Sequence, residues 1–348
     1  NLGIAEYNGL LAGLTGMSSG WKVTADATRG EAAQMLWNLL NIATHGTKPP
    51  AVGEAWVYAD GSGDFATLEE AVEGLGAGST IHLGPGTFKL TDGIAVTRDL
   101  ELVGMRSDGA GSTTVSCPGR VVYVGDAALT AEGIAFVCTY TGDTPVNVME
   151  AEDAEIDLTD CRFAGGNIGY TPEGDEYVPF KGNGLYLYGT TTGTVTSCVC
   201  TLNDHDGIAA DDDAQVTLVG NECTENAAGA TTYGGSGISV SGSAVCEATG
   251  NTCDSNGSCG IRGNGQVEIT AAGNLCRENG SYGITVDIGG GRLTDNTCDG
   301  NHLDGILIFN GFSDLTVEGN SCSHNGEDGI DLYYCVSGTV RDNTCGHN

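Results

Sequence analysis

The sequence predicts an all-β parallel β-helix, a solenoid with coils of 22–24 residues and a small α-helical N-terminal segment. The first observation behind this is a repeat, which has to be sought before anything else because missing it mis-assigns the whole fold. Asn-x-Cys-x-x-Asn, three residues, then Gly-Ile recurs at Asn251/Cys253/Asn256/Gly260 and at Asn274/Cys276/Asn279/Gly283. It returns at Asn296/Cys298/Asn301/Gly305 and Asn320/Cys322/Asn325/Gly329, with the cysteines 23, 22 and 24 residues apart. The second observation is that the stretches between repeats hold Gly, Ser, Thr, Asp and alternating Val or Ile, with no 3.6-residue pattern, so each segment reads as strand or turn. A leucine-rich repeat of similar period needs several leucines per unit and a helical or similar convex half, neither of which is present. The third is composition: 57 glycines without a three-residue period, and 40% apolar residues, exclude collagen and disorder.

Taken in chain order, residues 1–46 form a separate segment. Over residues 1–50 the acids Glu6, Asp26 and Glu31 balance Lys22, Arg29 and Lys48, so the whole net charge of -33 falls beyond Pro50. Thr28-Arg29-Gly30-Glu31 has the form of a capping box, and Ala32, Met35, Leu36, Leu39 and Leu40 follow at helical spacing. The paired prolines Pro49 and Pro50 cannot continue a helix, so residues 47–54 read as a linker and 55–348 as the solenoid. The solenoid opens with Trp56 to Phe65, then a second capping box at Thr67–Glu70. Leu68, Ala71, Val72 and Leu75 continue it at helical spacing, and short strands follow at Ser79–Leu83 and within Ile94–Val103. Earlier turns at Cys200/Asn203/Gly207 and Asn221/Cys223/Asn226 fit the repeat with slips, and the chain stops at Asn348, halfway through a repeat, so a capping sequence is expected beyond it.

Two resemblances follow from these residues. The Thr28-Arg29-Gly30-Glu31 segment resembles an S-layer homology module over about 50 residues, with Gly30 in place of the usual Ala and one copy visible. The resemblance implies cell-wall anchoring on a bacterial surface, with Arg29 and Glu31 as its motif residues. A single amphipathic helix leading into continuous strands resembles the opening of pectin-lyase-like chains, where the helix caps a right-handed parallel β-helix. That resemblance implies an extracellular protein acting on polysaccharide, as a lyase or a glycoside hydrolase.

Stacked coils turn sequence columns into surfaces. Alternation after each Gly-Ile directs Leu187, Ala210, Val240, Val286, Ile308 and Leu332 inward, and the Cys of each repeat, from Cys223 to Cys345, joins them as a ladder of thiols. A chain this long has a large core, so the thiols read as free small hydrophobes; bridges between stacked neighbours are the alternative, and zinc is disfavoured because the cysteines come one per coil. The paired Asn residues read as a structural turn ladder.

Function is then expected on the outward columns: Tyr186, Ala209, Ser239, Arg262, Thr285, Leu307 and Asp331 on one, Tyr188, Asp211, Ser241, Asn264, Asp287, Phe309 and Tyr333 on the next. The residues before each Gly, among them Asp206, Asp304 and Asp328, join this wall. Aromatic faces stack on sugar rings and carboxylates accept their hydroxyls, so Tyr186, Tyr188, Asp287, Phe309, Asp331 and Tyr333 are the carbohydrate-binding candidates. Lys181 and Arg262 are the candidate bases for a lyase; Asp206 with Asp211, or Asp304 with Asp328, are the candidate carboxylate pairs for a hydrolase. Asp204, Asp206, Asp211 and Asp213 offer the oxygen ligands Ca²⁺ prefers, making Ca²⁺ the candidate cofactor. The excess of acids argues against nucleic acid as a partner, and the sequence holds no run of 18 apolar residues that would span a membrane. The expected partner is a polysaccharide or cell-wall glycan. A non-catalytic adhesin or structural surface protein is the alternative, since no catalytic motif is found.

Overall fold

The computed structural model describes residues 52–167, 182–227, 235–310, 315–335 and 337–348. The helical module with Arg29 and Glu31, and also Lys181, lie outside the described residues. Within them the chain is a parallel β-solenoid of 33 strands, with one short helix. After strand β1 (Glu54–Val57), helix α1 (Leu68–Gly74) lays Leu68, Ala71 and Val72 against the end of the core. Its cap is the one the sequence announces: Thr67 Oγ1 accepts from Glu70 N at 3.1 Å. Glu70 reaches back to Ala66 N at 3.2 Å, one residue before the cap.

The strands then circulate through three sheets. The first, of 12 strands, runs from β1 to Gly338–Arg341; the second, of 11, from Gly86–Lys89 to Thr344–Gly346; the third, of 10, from Ile94–Val96 to Ile330–Tyr333. After β1 each sheet takes every third strand and all strand pairings are parallel, so equivalent residues stack coil upon coil. Inside the second sheet one column reads Val115, Phe136, Phe163, Cys200, Cys223, and the two phenylalanine rings stack at 5.5 Å. Downstream it continues through Cys253, Cys276, Cys298, Cys322 and Cys345. All 14 cysteines are free thiols.

Two expected inward positions prove exposed. Leu332 is 40% accessible and Cys345 is exposed, both in the last of the described coils.

The two Asn of each repeat mark two corners of the coil. Each amide is fully employed: Asn279 Nδ2 donates to Cys253 O and Asn301 Oδ1, both at 2.9 Å, while its Oδ1 accepts from Asn256 N and Nδ2 at 3.1 Å. The left-handed residue that turns the chain is the one before each Asn rather than the Asn itself, for example Gly273 before Asn274 (φ 62°) and Glu278 before Asn279 (φ 52°). Gly of the Gly-Ile pair serves close approach instead: a Cβ on Gly260 would lie 2.6 Å from Gly283 O and 2.7 Å from Cys276 Cβ.

Candidate functional site

The outward wall is the face of the third sheet, and strand register confirms the columns read from the sequence. One runs Tyr123, Glu150, Tyr186, Ala209, Ser239, Arg262, Thr285, Leu307, Asp331. The next carries Glu152 beside Tyr188 and, further on, Asn264, Asp287, Phe309 and Tyr333. Two aromatic clusters stand on this wall.

The first is built on the strands Val122–Gly125, Met149–Glu152 and Leu185–Tyr188. Glu152 Oε2 accepts from Tyr123 OH at 2.6 Å and from Tyr188 OH at 2.9 Å. Tyr188 stacks on Tyr186 at 4.6 Å, and Tyr186 OH donates to Asp211 Oδ2 at 3.3 Å, while Ser241 Oγ holds the other oxygen at 2.7 Å. Beside them Glu150, nearly buried, meets the Arg120 guanidinium and accepts from Asn147 Nδ2 at 3.0 Å; Arg120 in turn lies 4.5 Å over the Tyr123 ring. The hydrogen bond to Glu152, with burial, pushes the Tyr123 hydroxyl up to about 12. Burial and the Asp211 charge raise Tyr186, and burial and the Glu152 bond raise Tyr188. These phenols are therefore held protonated, as donors rather than bases.

The second cluster lies further along the wall. Phe309 stacks on Tyr333 at 5.2 Å with planes 7° apart, Tyr334 meets Tyr333 edge-on at 4.3 Å, and Asn310 Nδ2 reaches Asp287 Oδ1 at 3.4 Å. Tyr333 and Tyr334 are 47% and 70% exposed, so this end offers open aromatic faces. Asp331 stands half-buried in the neighbouring column. Arg262 is exposed between Ser239 and Thr285.

The column preceding each Gly departs from expectation. Asn183, Asp206, Ser236, Cys259 and Asp304 are buried, and the side chains of Asn183, Asp206 and Asp304 bond the corner backbone instead of facing outward. Asn183 Oδ1 accepts from Asp206 N at 3.0 Å, Asp206 Oδ1 from Ser236 N at 2.6 Å, and Asp304 Oδ1 from Asp328 N at 2.6 Å. Burial raises Asp304, against the opposing pull of the Asp328 N–H. His205 is buried too, with Nδ1 3.0 Å from Asp206 Oδ2; burial works to lower its pKa, but the Asp206 carboxylate outweighs this and the net shift is upward. The strand Ile208–Ala210 separates Asp204 and Asp206 at its start from Asp211 and Asp213 at its end. Five residue steps at strand rise put Asp206 and Asp211 roughly 16 Å apart along the chain. Among the described residues no three His, Cys, Asp or Glu side chains gather as metal ligands would.

Sequence reading missed Arg120, Tyr123, Asn147, Glu150 and Glu152. They lie in coils without the Asn-x-Cys signature, where only the alternation of Val122-Tyr123-Val124 and Met149-Glu150-Ala151-Glu152 marks an outward face.

Fold and wall together define a right-handed parallel β-helix with an aromatic and acidic outer face. The chain belongs to the family described as periplasmic copper-binding protein (NosD), whose model matches residues 168–348, just over half of the sequence. A comparison with curated proteins gives no match. Among solved structures, the chain resembles the Dettilon tailspike protein at 15% identity, covering 99% of this chain and 67% of that one with a TM-score of 0.57. It also resembles an alginate lyase from Paenibacillus sp. str. FPU-7 at 14% identity, covering 81% and 97%, TM-score 0.52. The periplasmic alginate epimerase AlgG is similar at 11% identity, covering 90% and 88%, TM-score 0.48. The likeness to the tailspike and the alginate lyase shows a shared fold.

Among the described residues no three His, Cys, Asp or Glu side chains gather where the copper of the family description could sit. Thiolates are the soft ligands that would suit Cu(I), and from Cys253 to Cys322 the thiols stand in single file, one per coil. From Cys200 to Cys322 the ladder thiols are fully buried. Hydrogen bonds to neighbouring thiols, then burial, raise Cys200 and Cys253 well above the ordinary thiol pKa, while the bonds from those two thiols lower Cys223 between them.

Proposed function

We propose that this protein is an extracytoplasmic β-helix that engages a polysaccharide along the outer wall of its third sheet. The observation that carries this reading is the pair of aromatic and carboxylate clusters on one register-aligned face. Tyr123, Tyr186 and Tyr188 with Glu152 and Asp211 form one; Phe309 and Tyr333 with Asp287 form the other. From Tyr188 to Phe309 is five coil steps, roughly 24 Å at the inter-strand spacing, a length that suits a chain of several sugar rings rather than a single one. Tyr188, Phe309 and Tyr333 offer ring faces to stack on, with Tyr186 and Asp211 buried behind Tyr188, and Asp287 accepts hydroxyls. The family description and the fold shared with an alginate lyase support a protein outside the cytoplasm.

Binding is favoured over turnover by the state of the carboxylates. Glu150 is matched by Arg120 and Asn147, Glu152 by two phenols, and Asp211 by Tyr186 and Ser241, so each is committed to holding the wall. An adhesive or structural surface protein therefore stands beside a lyase using Arg262 or Lys181 as its base. A panel of neutral, acidic and amino-sugar polysaccharides, assayed for binding and for release of reducing ends or unsaturated products with and without Ca²⁺, separates them. Retention without cleavage is expected. Cleavage of any member makes it an enzyme, and a panel that is neither bound nor cleaved removes the reading.

A further inference from the structure

A groove of about 480 Å³ lies on the outer face of the second sheet, away from the wall, beneath the segment 104–112. Its floor includes Val137, Ala164 and Leu202, and its polar side Asp108, Ser112 and Arg162. Leu202 is 57% exposed although apolar, because its left-handed backbone (φ 57°) throws the side chain outward at the coil corner. The overlying segment is pinned rather than loose: Met105 N donates to Thr113 Oγ1 at 2.9 Å, Thr113 N to Arg106 O at 2.8 Å, and Thr113 Oγ1 to Gly84 O at 3.0 Å.

Arg162 is the cation of the groove. Its outward neighbours in register, Ala135 and Val199, offer it no carboxylate, while Arg106 beside the groove is already paired with Asp108. Its Nε is shielded from solvent and has no acceptor among the described residues, so a molecule in the groove meets the Nη end of the guanidinium. That planar end can grip a carboxylate in two parallel hydrogen bonds. Asp108 nearby, and a chain charge of -33, disfavour a dianion such as phosphate but tolerate a single negative charge.

We propose that this groove binds an acidic monosaccharide unit. Its carboxylate sits on Arg162, its apolar face on Leu202, Val137 and Ala164, and its hydroxyls on Ser112 and Asp108. The site does not depend on the wall and does not share its residues.

The test is ligand-observed NMR titration of the full chain with sodium glucuronate, glucose and inorganic phosphate. It compares wild type with Arg162→Gln, Leu202→Ala and Thr130→Ala, each checked for its strand signature by circular dichroism. Glucuronate is expected to bind saturably, with glucose and phosphate weaker. Loss of a charge-assisted bidentate contact should weaken glucuronate about tenfold or more in Arg162→Gln. Leu202→Ala should also weaken it, and Thr130→Ala, on the exposed face of the first sheet, should leave it unchanged. An oligosaccharide ending in glucuronate that binds more tightly than the free acid would assign the groove to a polymer end; equal affinity would assign it to the free sugar acid. No saturable glucuronate binding to wild type, phosphate or glucose binding as well as glucuronate, or wild-type affinity in Arg162→Gln or Leu202→Ala would each overturn the proposal.

Discussion

Replacing one rung of the amide ladder tests how this solenoid is held together. Asn279→Ala removes four hydrogen bonds: the two that Nδ2 donates to Cys253 O and Asn301 Oδ1, and the two that Oδ1 accepts from Asn256 N and Nδ2. Asn279 is buried, so water cannot replace them. Asn301 Oδ1 keeps the bond from the backbone N of residue 279, and Asn256 Nδ2 keeps its bond to Cys223 O. The stranded groups are chiefly the Asn256 N–H, one Asn256 amide hydrogen and Cys253 O. At about 1–3 kcal/mol for each buried unsatisfied group, partly relieved by relaxation, the expected loss is about 3–5 kcal/mol. With a urea slope of about 3 kcal/mol/M, the midpoint should fall by about 1 M or more. Urea unfolding followed by circular dichroism measures it, with Asn264→Ala on the exposed face as the control, expected within about 0.5 kcal/mol of wild type. A midpoint for Asn279→Ala that matches the control would refute the claim that the amide ladder, and not the strands alone, sets the stability of the coils.

The remaining predictions concern the core and the wall. Of the 14 free cysteines, only Cys335 and Cys345 should react promptly with a thiol reagent in the native protein, and all 14 after denaturation; a native count near 14 would contradict the buried ladder. Gly260→Ala should destabilise strongly, because its Cβ would meet the next coil's backbone at 2.6 Å, and thermal unfolding would show it. Tyr123 carries a pKa raised to about 12. The folded state therefore holds a proton that the unfolded state releases near 10, so this contribution to stability is complete below about pH 10 and is lost as pH rises through 12. Glu152→Gln should bring the Tyr123 ultraviolet titration back toward the ordinary phenol value, and an unmoved titration would separate the two residues.

Much of this was legible in the sequence because a solenoid repeats its physics. Asn, Cys and Gly each recur at a fixed place in the coil, and the columns they predicted coincide with the strand register from Leu185 to Tyr333. The helix start at Thr67 was legible for the same local reason, a capping side chain followed by apolar spacing. What the sequence obscured was depth at the corners. Asp206 and Asp304 read as wall carboxylates, yet a corner backbone N–H from the next coil draws each of them inside. That donor belongs to a residue more than 20 positions away, and only register reveals it. Tyr123, Glu150 and Glu152 were hidden because their coils carry no Asn-x-Cys signature to set the phase.

The central claim is that the third-sheet wall holds a glycan through its aromatic clusters. Its most direct test is the affinity of Tyr188→Ala, Tyr333→Ala and the double variant for whichever polysaccharide the wild type retains. The two rings belong to different clusters on one face, so each single variant should weaken binding by about tenfold and the double variant by roughly the product of the two. Wild-type affinity in the double variant, with the fold intact, would contradict the account.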